Sequence, residues 1–249
     1  MEPQINRITI RTTMNYKLFS LFVLSFICLS FTSLSTSKEI KNNLTDPKLV
    51  ASNAKVSLEA KCKSFYNSIQ SNELSLPNYE SFSKAFEGYN ELKKQGIIEK
   101  EILTIVDFSL SSNEERMWVI NMTTKEIILR SLVAHGRNSG ELFANDFSNK
   151  SESYQSSLGF YTTGETYVGK HGLSLRLDGL EYGINDHARD RAVVVHGADY
   201  VSEEFIKANG RLGRSQGCPA VPNEISKELI ELIKDKSCLF IYHPSRNYY

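Results

Sequence analysis

The run Val193-Val194-Val195 ends in His196, and Gly197 follows at once. Downstream, the loop Gly210–Pro219 is rich in glycine and arginine and carries Cys218 just before a helical pattern that starts at Asn223. A histidine and a cysteine delivered in this way are the parts of an acyl-transfer site. A thiol attacks a carbonyl as the thiolate, which requires a nearby base or cation and some exposure. His196 can take the proton, while Arg214 and the helix N-terminus are expected to lower the Cys218 pKa. Gly217 lets the backbone approach a substrate, so that N–H groups of this turn can stabilise an oxyanion. The competing readings are a satisfied core histidine and an inert buried thiol, or a Cys218–Cys238 disulfide. Cys218, Cys238, His187 and His243 lack the paired short spacings of a zinc site, so no metal or other cofactor is expected.

The elements that must position this pair are mostly short strands. Ile102–Phe108, Met117–Met122, Ile127–Ala134, Leu158–Thr163, Leu173–Leu177, Ala192–Val195 and Cys238–Tyr242 are β-branched or apolar runs between polar turns. Helical periodicity returns only at Ser202–Ala208 and Asn223–Lys234. Ahead of the strands, Asp46-Pro47 starts a helix whose stripe is Ala54, Leu58, Cys62, Phe65 and Ile69. Pro77 opens a second, with Tyr79, Phe82, Phe86 and Tyr89 on one face, ending at Gly96. The fold class is therefore mainly β with helices (α+β): a sandwich or partial barrel preceded by a helical N-terminal segment. The expected organisation is a signal peptide over 1–37, a linker and helical segment over 38–100 packing on the catalytic domain, and that domain over 101–249.

The chain has 249 residues with 29 basic and 29 acidic side chains, and 41% of its residues are hydrophobic. That balance suits a globular protein, and neutrality argues against nucleic acid as a partner. Arg7, Arg11 and Lys17 precede the uncharged apolar run Leu18–Phe31, and small residues follow to Ser37. This pattern predicts export and cleavage, hence a periplasmic or cell-envelope location. The alternative is an uncleaved membrane tether. After cleavage Cys62, Cys218 and Cys238 remain, an odd number that leaves one thiol free or paired to another molecule. Cys62, on an apolar stripe, and Cys238, opening an apolar run, are expected to be buried. Oligomeric state is not legible.

His196-Gly197 followed by Ser215-Gln216-Gly217-Cys218 resembles the signature of the L,D-transpeptidase (YkuD-type) catalytic domain. Ser157–Tyr161 is similar to that family's Thr-Pro-x-Gly-x-Phe strand. Asp107-Phe-Ser, Ala134–Gly140, Tyr167–Gly172 and Gly213–Pro219 resemble the hallmarks of its murein L,D-transpeptidase subfamily. The resemblance spans about residues 80–245. It implies a cysteine acyltransferase acting on peptidoglycan stem peptides and forming 3→3 cross-links. By the same resemblance Cys218 is the nucleophile, His196 the base, and the Gly197 carbonyl orients the imidazole. Ser215 and Gly217 fall at orienting or oxyanion positions, and Arg214 and Gln216 at substrate-binding ones. Arg137 and Arg176 are further candidates to grip stem-peptide carboxylates.

Three departures matter. Gln216 stands where the family has a second histidine, and an amide carries neither proton nor charge. Eighteen residues separate His196 from Ser215, against roughly fifteen in the family. Pro219 has no N–H to donate to an oxyanion. These keep open an L,D-carboxypeptidase that passes the same thioester to water, and a catalytically silent wall-binding module. His135-Gly136 and His171-Gly172 read most simply as glycine turns with solvated or capping histidines. Asp186–Asp190 reads as a hydrated turn.

Overall fold

The structure, a computed structural model, describes residues 47–248, with side chains described from Val56. The expected signal peptide over 1–37 and the linker to Asp46 lie outside the described residues. Helix α1 (Pro47–Asn67) and helix α2 (Tyr79–Lys94) precede β1 (Ile102–Asp107), β2 (Met117–Asn121) and β3 (Glu126–Ser131). Then come β4 (Gly159–Gly169), β5 (Gly172–Gly179), β6 (Val194–Gly197), α3 (Glu203–Asn209), β7 (Ala220–Val221), α4 (Asn223–Ile233) and β8 (Cys238–Tyr242). All eight strands form one sheet in the order β3-β2-β1-β8-β4-β5-β6-β7. The fold is α+β, and the sheet nearly closes into a barrel. Ala134, just past β3, bridges Ala220 in β7, and Gly136 bridges Ser215, so the two edge strands meet.

Strand alternation builds a core on each face. Leu103 and Ile105 of β1, Trp118 and Ile120 of β2, and Phe240 of β8 pack with Phe82, Ala85, Phe86 and Tyr89 of α2. Val106, Met117, Val119, Leu239 and Ile241 point to the other face and pack with Leu229, Ile230 and Ile233 of α4. Both faces of β1 and β8 are thus covered, which explains their unbroken apolar runs. Asn78 caps α2 by accepting from the Glu80 N–H at 2.8 Å. The α1 stripe lies on α2: Cys62 is buried, and the Phe65 ring is 5.3 Å from that of Phe86. Tyr79, expected on the same face as Phe82, stays partly exposed at the helix start.

Some boundaries differ from the sequence reading for physical reasons. β4 runs on to Gly169 as the exposed arm of a hairpin with β5, past a register shift between Thr163 and Thr166. That arm carries no apolar pattern. β6 starts at Val194 because Ala192 has a left-handed backbone, φ +53°. β7 is only two residues long and directly follows the Cys218-Pro219 step, too short to leave a periodic signal.

Phe82 is fully buried against Phe65, Tyr66 and Phe86. Phe82→Ala is expected to lower the unfolding free energy by about 3–5 kcal/mol, read from urea denaturation midpoints. Val168→Ala, at a side chain 81% exposed, should change it by less than about 0.5 kcal/mol.

Candidate active site

β6 lies between antiparallel β5 and parallel β7, with His196 opposite Ser174 on one side and Ala220 on the other. The register brings Cys218, two residues before Ala220, to the same end of the sheet as His196. Gly197 is required by packing: a Cβ there would sit 2.4 Å from Asn223 Oδ1, where the first turn of α4 crosses β6.

The loop that carries Cys218 is held from several sides. Ser215 N–H donates to His135 O (2.9 Å), Arg137 N–H donates to Ser215 O (2.8 Å), and Gly213 N–H donates to Tyr200 O (2.8 Å). Within the turn, Ser215 Oγ–H donates to Cys218 O at 2.6 Å and accepts from Gly217 N–H at 3.0 Å. Ser215 therefore shapes the Ser215–Cys218 turn from a buried position. Gly217 adopts φ +121°, and a Cβ there would meet Gln155 O at 2.8 Å, so only glycine fits.

His196, Cys218, Arg214, Ser215 and Gln216 line one cavity of about 530 Å³, joined by Lys170, His171, Arg191 and Tyr200. His196 Nδ1–H donates to Gly197 O at 2.8 Å, which leaves Nε2 free as an acceptor. Burial, opposed by that carbonyl, lowers the His196 pKa, so the ring is neutral and can accept a proton near pH 7. The His171 ring stacks on it at 4.4 Å between centroids. Cys218 is half-buried; Sγ accepts from Val194 N–H (3.5 Å), and S–H points at Ala192 O (3.7 Å). Cys62 and Cys238 are buried, and none of the three thiols is in a disulfide.

Several sequence expectations change here. Burial raises the Cys218 pKa, offset in part by the Val194 N–H, Arg191 and Lys170, so the expected depressed thiol is not found. Arg214 lines the cavity, but its Nη1 contacts Glu141 Oε1 at 2.6 Å, a carboxylate shared with Arg211, so its charge is partly compensated and directed away from Cys218. Gly217 N–H is consumed by Ser215 Oγ and cannot serve an oxyanion. Among the described residues neither Gln216 N–H nor Cys218 N–H has a protein acceptor, so both donors of this turn remain available. Gln216 is exposed at the mouth. Arg176 pairs with Glu165 at 3.0 Å, and Arg137 lies over the Tyr154 ring at 3.9 Å. Neither lines the cavity. The Asp186–Asp190 turn is pinned, with Asp186 accepting from Asn149 and Arg189 paired to Asp178 and Glu165.

Both histidine turns also read differently in three dimensions. His171 lies on the His196 imidazole. His135 is buried behind the loop: Arg116 Nη2 donates to its Nδ1 (2.8 Å), and Nε2–H donates to Gly140 O (3.2 Å). Arg116 itself is fully buried, giving hydrogen bonds to Val133 O and Leu110 O, and burial pushes its pKa down to about 9. Arg191 and Tyr200 escaped the sequence reading because a lone arginine after an acidic turn, or a tyrosine after a strand, carries no spacing signal. Lys170 lies within Tyr167–Gly172, and its place at the cavity depends on the β4–β5 hairpin.

The chain matches the L,D-transpeptidase catalytic domain family over residues 73–242. No curated protein matches it. Partial similarity extends to a solved L,D-transpeptidase from Mycobacterium smegmatis, with 12% identity, 57% of this chain and 59% of that one covered, and a TM-score of 0.35. For an Enterococcus faecium L,D-transpeptidase the values are 15%, 58%, 50% and 0.34. For the helical cell shape determining protein of Campylobacter jejuni they are 12%, 68%, 57% and 0.39. The chain thus spans less than two thirds of the length of these solved proteins.

His135 gives the site a pH dependence. Burial and then Arg116 push its folded-state pKa down to about 4, from 6.5. As pH falls, the unfolded chain takes up this proton first, so the stabilisation is complete above about pH 6.5 and is lost towards pH 4. Between pH 7 and 5 the wild type should lose about 2 kcal/mol more stability than His135→Gln, measured by urea unfolding at each pH.

Proposed function

The chain belongs to the L,D-transpeptidase catalytic domain family, and on that premise we propose that it is an exported cysteine acyltransferase acting on peptidoglycan stem peptides. The observation that carries the reading is the shared cavity, in which a neutral His196 with a free Nε2 and the half-buried thiol of Cys218 face one space. The scissile bond is the amide between the third residue of the stem, a diamino acid, and the terminal D-alanine. Cys218 Sγ attacks its carbonyl carbon as His196 Nε2 takes the thiol proton. The oxyanion is met by Cys218 N–H. Collapse breaks the C–N bond, and His196 returns the proton to the departing amine of D-alanine. A side-chain amine of a second stem then attacks the thioester as His196 takes its proton; the C–S bond breaks, His196 returns the proton to Cys218 Sγ, and the amide product is a 3→3 cross-link. With the thiol pKa raised by burial, proton transfer to His196 belongs to the attack itself, and no standing thiolate is needed.

Intact mass after incubation with purified tetrapeptide stems should reveal an adduct of the tripeptide on the enzyme, followed by a cross-linked dimer. Free tripeptide without dimer would make water the acceptor. No adduct at any pH would leave a silent wall-binding module. His196→Ala should slow acylation by about 10²-fold or more, and Cys218→Ala should abolish it. His135→Ala should cost acylation far less once its lower stability is allowed for. N-terminal sequencing of protein from the cell envelope should give a start between about residues 34 and 40. A start at Met1 or Met14 would replace export by tethering.

A further inference from the structure

Arg191 belongs to neither the histidine nor the cysteine motif, yet it joins the two loops that wall the cavity. Nη1 donates to Ser148 O (2.7 Å) and to Ser157 Oγ, and Nη2 donates to Gln155 O (2.6 Å) and Ser153 Oγ (3.3 Å). All four acceptors are neutral oxygens. Nη2 also lies 3.3 Å from where a Cβ of Gly217 would be, so the guanidinium, Gln155 O and the nucleophile turn form one contact.

We propose that Arg191 is a positioning residue that straps residues 148–157 against the Gly217–Cys218 turn and holds an uncompensated positive charge beside the nucleophile. This rests on the acyl-transfer reading for its purpose, and on geometry for its substance. Of the other groups facing Cys218, Lys170 adds to that charge, and by less than Arg191 does. Arg214, on the same loop, is turned to Glu141, which it shares with Arg211, and does not act on the thiol. Lys170, from the β4–β5 turn, is exposed and screened by water, as is the neighbouring His171. His196 is held neutral by burial. Tyr200, after β6, is a neutral phenol with its pKa raised to about 12 by burial. From the strapped loop and β4 come the phenols of Tyr154 and Tyr167 and the exposed carboxylate of Glu152, whose sign is opposite. A half-buried cation bonded only to neutral oxygens keeps its field, and it lowers the thiol pKa that burial has raised. Gln216 cannot take this part.

The test is the pH profile of Cys218 alkylation by iodoacetamide in the folded full chain, quantified on the Cys218 peptide. The thiolate displaces iodide, and no cell-wall substrate is involved. A failed transpeptidation assay therefore leaves this result standing, and the converse also holds. Arg191→Gln should move the midpoint up by about one pH unit, slow labelling at pH 7 about threefold, and raise the alkaline plateau, because a less acidic thiol is the better nucleophile. Arg191→Lys retains the charge but cannot serve four acceptors; its midpoint should stay within about 0.3 units of wild type. Lys170→Gln should shift the midpoint less than half as far as Arg191→Gln. If Arg191→Gln does not fold, Ser153→Asp offers the guanidinium a carboxylate without removing the strap, and should move the midpoint in the same upward direction. Coincident wild-type and Arg191→Gln profiles would overturn the proposal. So would an Arg191→Lys shift as large as that of Arg191→Gln, a larger shift in Lys170→Gln, or an unmoved Ser153→Asp profile.

Discussion

The closure of the sheet on itself is the constraint from which the site follows. An open eight-stranded sheet has two edges with unpaired backbone groups, and proteins cover or join them. Here the segment after β3 and the segment around β7 supply each other's partners: Ala134 N–H to Ala220 O, Ser215 N–H to His135 O, and Arg137 N–H to Ser215 O. The Ser215–Cys218 turn is part of this seam. Its position is therefore fixed by ladder hydrogen bonds on one side and by the register of His196 against Ala220 on the other.

The seam is costly elsewhere. It buries the Arg116 guanidinium, which is tolerated because its donors meet Val133 O, Leu110 O and His135 Nδ1, with the Phe108 ring 4.8 Å away. It also leaves three non-glycine residues of the cavity wall, Glu152, Tyr154 and Ala192, with left-handed backbones. Such conformations persist where the surroundings over-determine them. The Arg191 strap, with acceptors on Ser148, Ser153, Gln155 and Ser157, is the local source of that determination.

Much of this was legible in the sequence. Strand runs with both faces apolar, as in β1 and β8, declared themselves, and so did the α2 stripe. That His196 and Cys218 belong together in one cavity was legible because the strand-His-Gly and Gly-Cys-Pro patterns are local. What escaped has a common cause. Whether Arg214 is free depends on Glu141, 73 positions away, and whether Gly217 N–H is available depends on the rotamer of Ser215. The direction of the Cys218 pKa depends on how deeply the turn is buried, a property of the closed sheet that the cationic residues near it in sequence do not predict. His135 looked like a turn residue because its partner, Arg116, lies two strands earlier.

The place of β8 carries a consequence for how the molecule is assembled. It is the last element in chain order among the described residues, yet it is a central strand, parallel to β1 and antiparallel to β4. Until it inserts, β1–β3 and β4–β7 share no ladder of their own in the middle of the sheet, and the facing edges of β1 and β4 are bare. Closing them demands contacts of very long sequence separation, which slows folding and favours a late, concerted transition. The β4–β5–β6 side of the sheet, which carries His196, is therefore joined to β1–β3 through the middle of the sheet only when the last described strand is in place.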